Sequence, residues 1–328
     1  MKTILNSAIT ALALSTGAAA AQDFPQRTIE LIYPWGPGNA MAVSQILAKA
    51  MSDELGVSVP VISTPGAAGT KAFLTAMNKP ADGYTIIDGY VAPLVLQPVL
   101  GKADWTYEDF IPLHSAFSNA FALGVRAGED RWATFEEMMA YCKEHPGELR
   151  YTSGSRNNLP HMVTAKALQG YDCVAQNIPY SANAEGMSDL KNGVLDFGIV
   201  NVGEFQQAGD QYNILLVLSE LPESAEIFGG AASITDLGID LGLSGLAPMG
   251  WDWWMVTKDT PQDRVDVLRD VMAKALARPE VQDKIKALGF VPLKWDYDQY
   301  AEIVGPVAGQ LEAMGNALKW EEEQLAKQ

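Results

Sequence analysis

Apolar positions along the chain follow two periods that take turns. Short runs such as "TIELIYP", "VSVPVIS" and "GYTIIDG" are rich in β-branched and aromatic residues and predict strands. Between the first two, Val43, Ile46, Leu47, Ala50 and Met51 recur on one helical face, while Ser44, Gln45, Lys49 and Ser52 fall elsewhere. A second helix is predicted near Thr70 to Met77. A β-α-β-α-β order implies a parallel sheet with right-handed crossovers. After about residue 123 the pattern restarts. "FEEMMAYCKEHPG" reads as a helix with Phe135, Met138, Met139 and Cys142 on its apolar face. The strands "ELRYTSG", "CVAQNIPY" and "VLDFGIVN" then alternate with loop-and-helix segments beginning at "SRNN" and "SANA". The final third is helical. Thr260 is the expected cap, Pro261 the first helical residue, Pro279 a divider and Gly289 a stop. A long C-terminal helix is expected to pack back on the first half.

The first 21 residues break this pattern. Lys2, the apolar stretch "ILNSAITALALSTG" and the small residues Ala19, Ala20 and Ala21 read as a secretory signal peptide. The run is short and interrupted by Asn6, Ser7 and Thr10, which argues against a membrane anchor. The mature chain is therefore expected to begin near Gln22, outside the cytoplasm. Of the 328 residues, 48% are hydrophobic and 19% charged, which suits two globular domains with real cores. The net charge of −17 becomes one unit more negative without Lys2. Such a surface argues against nucleic acid and anionic membrane as partners. It leaves an anionic small ligand open, because exposed charge is screened beyond about 8–10 Å. Two cysteines, Cys142 and Cys173, can build neither a disulfide scaffold nor a structural zinc site. They can pair or remain two buried thiols, and spacing does not decide between these.

The chemistry lies in four small-residue loops at strand ends: "WGPGNA", "TPGAAGT", "SGSRNN" and "YSANA". In open α/β sheets ligands sit there, against helix N-termini whose first N–H groups lack partners. Each terminus also carries about half a positive charge, so a carboxylate or other small anion is favoured. A single such loop is adequately explained as a tight turn; four together in one secreted chain favour ligand binding. "GPGNAM" lacks the third glycine of a dinucleotide site. There is no phosphate-binding loop and no G-x-S-x-G elbow. His114, His145 and His161 have no metal spacing, and nothing marks a nucleophile. No cofactor, metal site or catalytic set is expected. Trp35 and Trp251 can wall a cleft, and Arg156 can clamp a carboxylate. In "GWDWWMV", alternation sends Trp251 and Trp253 to one face and Trp254 to the other.

The motifs "IELIYPWGPGNAMA", "STPGAAG", "KPADGYTI", "HPGELRYTSGS", "IPYSANAEGMSDLKNGVLDFGIVN" and "KDTPQDRVDVL" appear in that order. Together they resemble the substrate-binding proteins of tripartite tricarboxylate transporters, the Bug family, over nearly the whole mature chain. The resemblance implies an α/β, periplasmic-binding-protein-like fold of type II, with two lobes closing on a ligand. Lobe 1 would be discontinuous, residues 22–122 and 251–328, and lobe 2 would be residues 123–250. It implies a monomeric periplasmic receptor, not an enzyme, that delivers a small organic acid to the membrane components of a transporter. A neutral amide or amino-acid-like ligand, a receptor serving a sensor protein, and a periplasmic hydrolase are the alternatives. By the same match, Gly38, Asn39, Ala40 and Met41 would form the first binding loop, and Ala67, Ala68 and Gly69 the second. Tyr90 would follow the third strand. The opposite lobe would offer Ser153, Gly154, Ser155, Tyr180, Ala182, Asn183 and Asn201. The chain departs from the family pattern at Asn39, Ala42, Val200 and Trp253. These changes remove polar or acidic groups and add apolar bulk. They imply a ligand without an amino group and with an apolar or aromatic part.

Overall fold

A computed structural model describes residues 24–154, 156–180, 183–241 and 250–328. The expected leader, Ser155 and Ala182 lie outside them. In chain order the strands are β1 (Glu30–Tyr33), β2 (Val61–Ser63), β3 (Thr85–Tyr90), β4 (Phe110–Ser118), β5 (Phe121–Arg126), β6 (Arg150–Thr152), β7 (Gln176–Asn177), β8 (Phe197–Asn201), β9 (Tyr212–Val217), β10 (Trp251–Thr257) and β11 (Val291–Pro292). They form two sheets, ordered β11-β4-β10-β3-β1-β2 and β7-β6-β8-β5-β9. In the first, β2 and β3 flank β1 in parallel, as the β-α-β-α-β reading requires. In the second, β7 and β8 flank β6 in parallel. Each parallel trio is extended by an antiparallel strand: β10 beside β3, and β5 beside β8. This is the two-lobe, type II α/β arrangement.

The elements form where local pattern and burial agree. The helix Asn39–Leu55 buries Val43, Leu47, Ala50 and Met51, with Ile46 half-buried beside them. Each fully buried aliphatic side chain contributes about 1.5–3 kcal/mol. The period-2 reading holds on β10. Trp251 and Trp253 enter one apolar cluster, and Trp254 enters the other. The helix Gln262–Ala277 starts one residue later than expected, with Pro261 as its cap residue. Pro279 begins the next helix, Pro279–Ala287, as the divider reading requires.

Two chain crossings join the sheets, one at Asn119 and Ala120 between β4 and β5, the other between β9 and β10. They run side by side: Asn119 N–H donates to Gly250 O at 3.0 Å. Gly250 has φ +85°, and a Cβ there would stand 2.7 Å from Asn119 O. Only glycine meets both demands, so the close approach of the two crossings is written into that residue.

The last helix, Val307–Leu325, differs from expectation. It makes most of its contacts with the helix Leu159–Gly170 on the second sheet, and fewer with the segment 92–99 on the first. Its buried residues Val307, Leu311 and Met314 belong to an apolar cluster that includes Leu159, Met162 and Val163. Burial of those residues, not closeness in sequence, selected the partner.

Cys142 and Cys173 form a disulfide with Cα atoms 5.1 Å apart, closing a separation of 31 residues. Replacing both by Ala is expected to lower unfolding free energy by about 3–4 kcal/mol, from the loop-closure entropy returned to the unfolded chain. Urea unfolding of the oxidised native chain and the double variant checks this; coincident midpoints would refute it. Among the described residues no helix is long and apolar enough to cross a membrane. No cluster of His, Cys, Asp and Glu suited to a metal ion is found among them either.

Candidate functional site

The first-lobe loops behave as their small residues suggest. β1 ends at Tyr33, and the helix after it starts at Asn39 with no side chain capping its first N–H groups. The second loop is strained. Ala67 and Ala68 have φ of +48° and +50°, a left-handed conformation that costs a non-glycine residue about 1–2 kcal/mol. Gly69 follows at φ +90°, where a Cβ would stand 2.9 Å from Pro93. The helix Thr70–Met77 again starts without a side-chain cap.

The second-lobe turn after β6 is held from several sides. Asn177 Nδ2 donates to Ser153 Oγ at 2.9 Å, and Asn158 Nδ2 donates to Ser153 O at 2.9 Å. Asn158 caps the helix Leu159–Gly170 by accepting His161 N–H at 2.8 Å. Gly154 and Asn157 take positive φ, +82° and +59°.

Between these loops lies a cavity of about 610 Å³, within the range of small-molecule sites. Its aromatic wall is Tyr33, Trp35, Tyr90 and Phe121. The Trp35 and Tyr90 rings meet edge to face at 5.9 Å, and Tyr33 and Tyr90 at 6.1 Å. Val91 and Leu96 add apolar surface, and Gln97, Asn119 and Asn157 add amides. Two cations line it, Lys102 from the segment after β3 and Arg156 from the turn after β6. Arg156 donates to Asn177 O at 3.3 Å. No ion pair joins either cation to a carboxylate among the described residues, and no described Asp or Glu lines the cavity.

The floor is also protonated. Burial, then the negative charge of Asp88, pushes the hydroxyls of Tyr33 and Tyr90 far above the usual tyrosine range. The buried Tyr90 hydroxyl lies beside that of Tyr33, its one neighbour of this kind among the described residues, and makes no well-formed hydrogen bond there.

Of the residues expected at the site, Trp35, Ala40, Ala68, Tyr90 and Arg156 line this cavity. Gly38, Asn39 and Met41 sit at the adjoining helix start, and Ala67 and Gly69 flank Ala68. Asn39 and Asn201 both approach Gly203. A Cβ on Gly203 would lie 3.2 Å from Asn39 Nδ2 and 3.4 Å from Asn201 Oδ1. Asn201 itself caps the helix Val202–Ala208. Ser153 and Gly154 shape the second-lobe turn without lining the cavity. Asn183 is the first residue of the helix Asn183–Lys191.

Four further positions stand away from the cavity. Tyr180 does not line the cavity; it donates to Asp189 at 2.6 Å, and burial with that contact raises its hydroxyl to about 12. Trp251 is 2% exposed and packs in the core, because β10 runs between β3 and β4 with both faces covered. For the same reason Trp253 stacks on Trp295 and meets Tyr300 edge to face, so its bulk fills the core and not the cavity. Val200 is likewise fully buried in core. Tyr33, Gln97, Lys102, Asn119, Phe121 and Asn157 were missed. Two of them carried a signal: Tyr33 as the last residue of a strand entering a binding loop, and Asn157 as a member of "SGSRNN".

Residues 43–317 match the sequence profile of a family described as the tripartite tricarboxylate transporter family receptor. Protein BugT of Bordetella pertussis is 26% identical over 312 residues, covering 91% of this chain and 93% of the relative. A TctC solute-binding protein from Polaromonas has a similar fold, with a TM-score of 0.73, 24% identity, and coverage of 89% of this chain and 99% of that one. So does an R. palustris protein solved with adipate, with a TM-score of 0.74, 21% identity, and coverage of 90% and 98%.

Proposed function

The chain belongs to the tripartite tricarboxylate transporter receptor family of the Bug type, and from that premise we propose that it captures a small organic acid with two carboxylate ends and an apolar or aromatic middle. It does so in the periplasm, without chemistry, and hands the acid to the membrane components of its transporter. One observation carries the reading: two cations without an ion-pair partner among the described residues, Lys102 and Arg156, line one cavity with four aromatic rings, and no described Asp or Glu lines it. A dianion bridging them would touch both lobes and so favour the closed state. The adipate held by the R. palustris structure has this chemistry. Domain limits of 22–122 with 251–328, and 123–250, are proposed on the same basis, with the last helix lying across to the second sheet.

His161 does not support a hydrolase. Its Nδ1 accepts the N–H of Asn157 at 3.0 Å, and its Nε2 faces Glu321 at 3.3 Å, so neither ring nitrogen is left for a nucleophile.

The test is a thermal-shift panel of aliphatic and aromatic dicarboxylates, monocarboxylates, amino acids and amides at fixed pH and salt. Dicarboxylates are expected to raise the midpoint most. A ligand present at 100 times its dissociation constant stabilises by about 2.7 kcal/mol. Shifts confined to amides or amino acids would replace this reading with a neutral or zwitterionic ligand.

A further inference from the structure

The C-terminal helix carries a polar residue where its own pattern asks for an apolar one. Val307, Leu311, Met314 and Ala317 recur at helical spacing and are buried. Four residues on, the stripe arrives at Glu321, which is 4% exposed. A carboxyl taken out of water costs several kcal/mol unless donors surround it. Two do. Tyr151 donates its hydroxyl to Glu321 Oε2 at 3.0 Å, and His161 Nε2 lies 3.3 Å from the same oxygen.

The histidine passes this contact on. His161 Nδ1 accepts the backbone N–H of Asn157. A ring nitrogen that accepts carries no proton, so the neutral imidazole holds its hydrogen on Nε2, aimed at Glu321. Asn157 is the residue at φ +59°, a conformation that asparagine tolerates but does not prefer. It lies between Arg156 and Asn158, and all three line the cavity. The path therefore runs from the last helix, through one imidazole, to the turn that carries the second-lobe cation.

We propose that Glu321 and His161 are positioning residues for the cavity: the carboxyl sets the ring, and the ring holds the Asn157 amide and with it the Arg156–Asn158 turn. The proposal rests on reading that cavity as the ligand site. Helix docking alone does not require these residues. Apolar side chains of similar volume dock buried helices as well or better, but they cannot accept the Asn157 N–H. A lone polar contact in an apolar seam also fixes register, and sliding the helix by one turn would take Glu321 away from His161.

Two substitutions separate the two halves of the contact. In His161→Asn the side-chain oxygen stands where Nδ1 stood and the reach to Glu321 is lost. In His161→Gln the amide stands where Nε2 stood and the acceptor for Asn157 is lost. Hydrogen exchange of the Asn157 amide, followed by NMR without ligand, is the first readout; the dissociation constant for adipate is the second, with thermal midpoints as the folding check. His161→Asn is expected to keep the amide protected and the affinity close to native. His161→Gln is expected to speed exchange and weaken adipate by about tenfold, the scale of one lost hydrogen bond, with a midpoint near that of His161→Asn. Glu321→Leu leaves the buried Tyr151 hydroxyl and His161 Nε2 proton without an acceptor, so it is expected to lower the midpoint and to speed Asn157 exchange. The reverse order, with Gln native-like and Asn impaired, would reduce the pair to a docking contact. Unchanged exchange in all three variants would show that the turn holds itself, and would equally overturn the proposal. If the native chain fails to bind adipate, the dicarboxylate reading loses its support, while the exchange measurements still decide this one.

Discussion

Replacing Asp252 by Asn is expected to flatten much of the pH dependence of stability between about pH 5 and pH 8. Asp88 and Asp252 are fully buried on neighbouring strands. Asp252 stands opposite Tyr90 and Trp254 opposite Asp88, so the two carboxyls are diagonal on one face of the sheet. Asp88 Oδ2 accepts the Ser44 hydroxyl at 2.6 Å, and Asp252 Oδ1 accepts Phe117 N–H at 2.9 Å. The remaining oxygens, Asp88 Oδ1 and Asp252 Oδ2, make no well-formed hydrogen bond among the described residues, although the Trp254 indole N–H lies close enough to Asp252 to lower it. Two carboxylates this close cannot both ionise, and a proton held between them satisfies both. Burial lifts Asp88 to about 6, against the lowering pull of its contacts with Asp252 and Ser44. Burial, then the charge on Asp88, lifts Asp252 well above the carboxylate range.

The sign follows from these raised values. A carboxyl whose folded value is raised contributes stability below its unfolded value, and that contribution is lost as pH rises through the folded value. For Asp88 the window runs from about pH 4 to just above 6, and the contribution of Asp252, the group the variant removes, is lost higher still. His114, which burial lowers, works in the opposite direction by losing stability as pH falls. The comparison must therefore be native against variant. In Asp252→Asn the side-chain oxygen still accepts Phe117 N–H, and the amide donates to Asp88 without a shared proton. Urea unfolding at the two pH values measures the difference. Equal pH slopes in the two proteins would show that no proton is shared.

Removing both cations from the cavity is expected to weaken binding of the acid that gives the largest thermal shift by about tenfold or more. Lys102 and Arg156 are both exposed, and an exposed ion pair contributes up to about 1 kcal/mol. Lys102→Met and Arg156→Met should therefore each raise the dissociation constant by up to about fivefold. Arg156→Lys should recover only part of the loss, because an ammonium keeps the charge but not the planar fork. Calorimetry at two salt concentrations checks this. Lys102 and Arg156 are exposed, so their pull on the acid is screened and the loss should be larger at the lower salt concentration. Native-like affinity in the double variant would move the anion site to the helix starts at Asn39 and Thr70 and take the dicarboxylate reading with it.

The parts legible in the sequence were those decided by neighbours along the chain. The strands and helices around 30–90 and 135–200 announced themselves by period, and Trp35, Ala40, Ala68, Tyr90 and Arg156 by their place in small-residue loops. Even the two-sided burial of Trp253 and Trp254 followed from alternation. What periodicity cannot carry is which element lies against which. Trp251 looked like a cleft wall until β10 was placed between β3 and β4. Lys102 is a lone lysine in an unremarked stretch until the second sheet brings Arg156 to the same cavity. The disulfide was an open choice until the fold set the two Cα atoms 5.1 Å apart. Glu321, 160 residues from His161, had no sequence signal beyond breaking an apolar stripe. Local propensity and hydrophobic period are properties of a few adjacent residues, and the chain determined them alone. Pairing of distant charges, protons and sulfurs depends on packing that buries apolar surface over the whole molecule, and only the tertiary structure decided it.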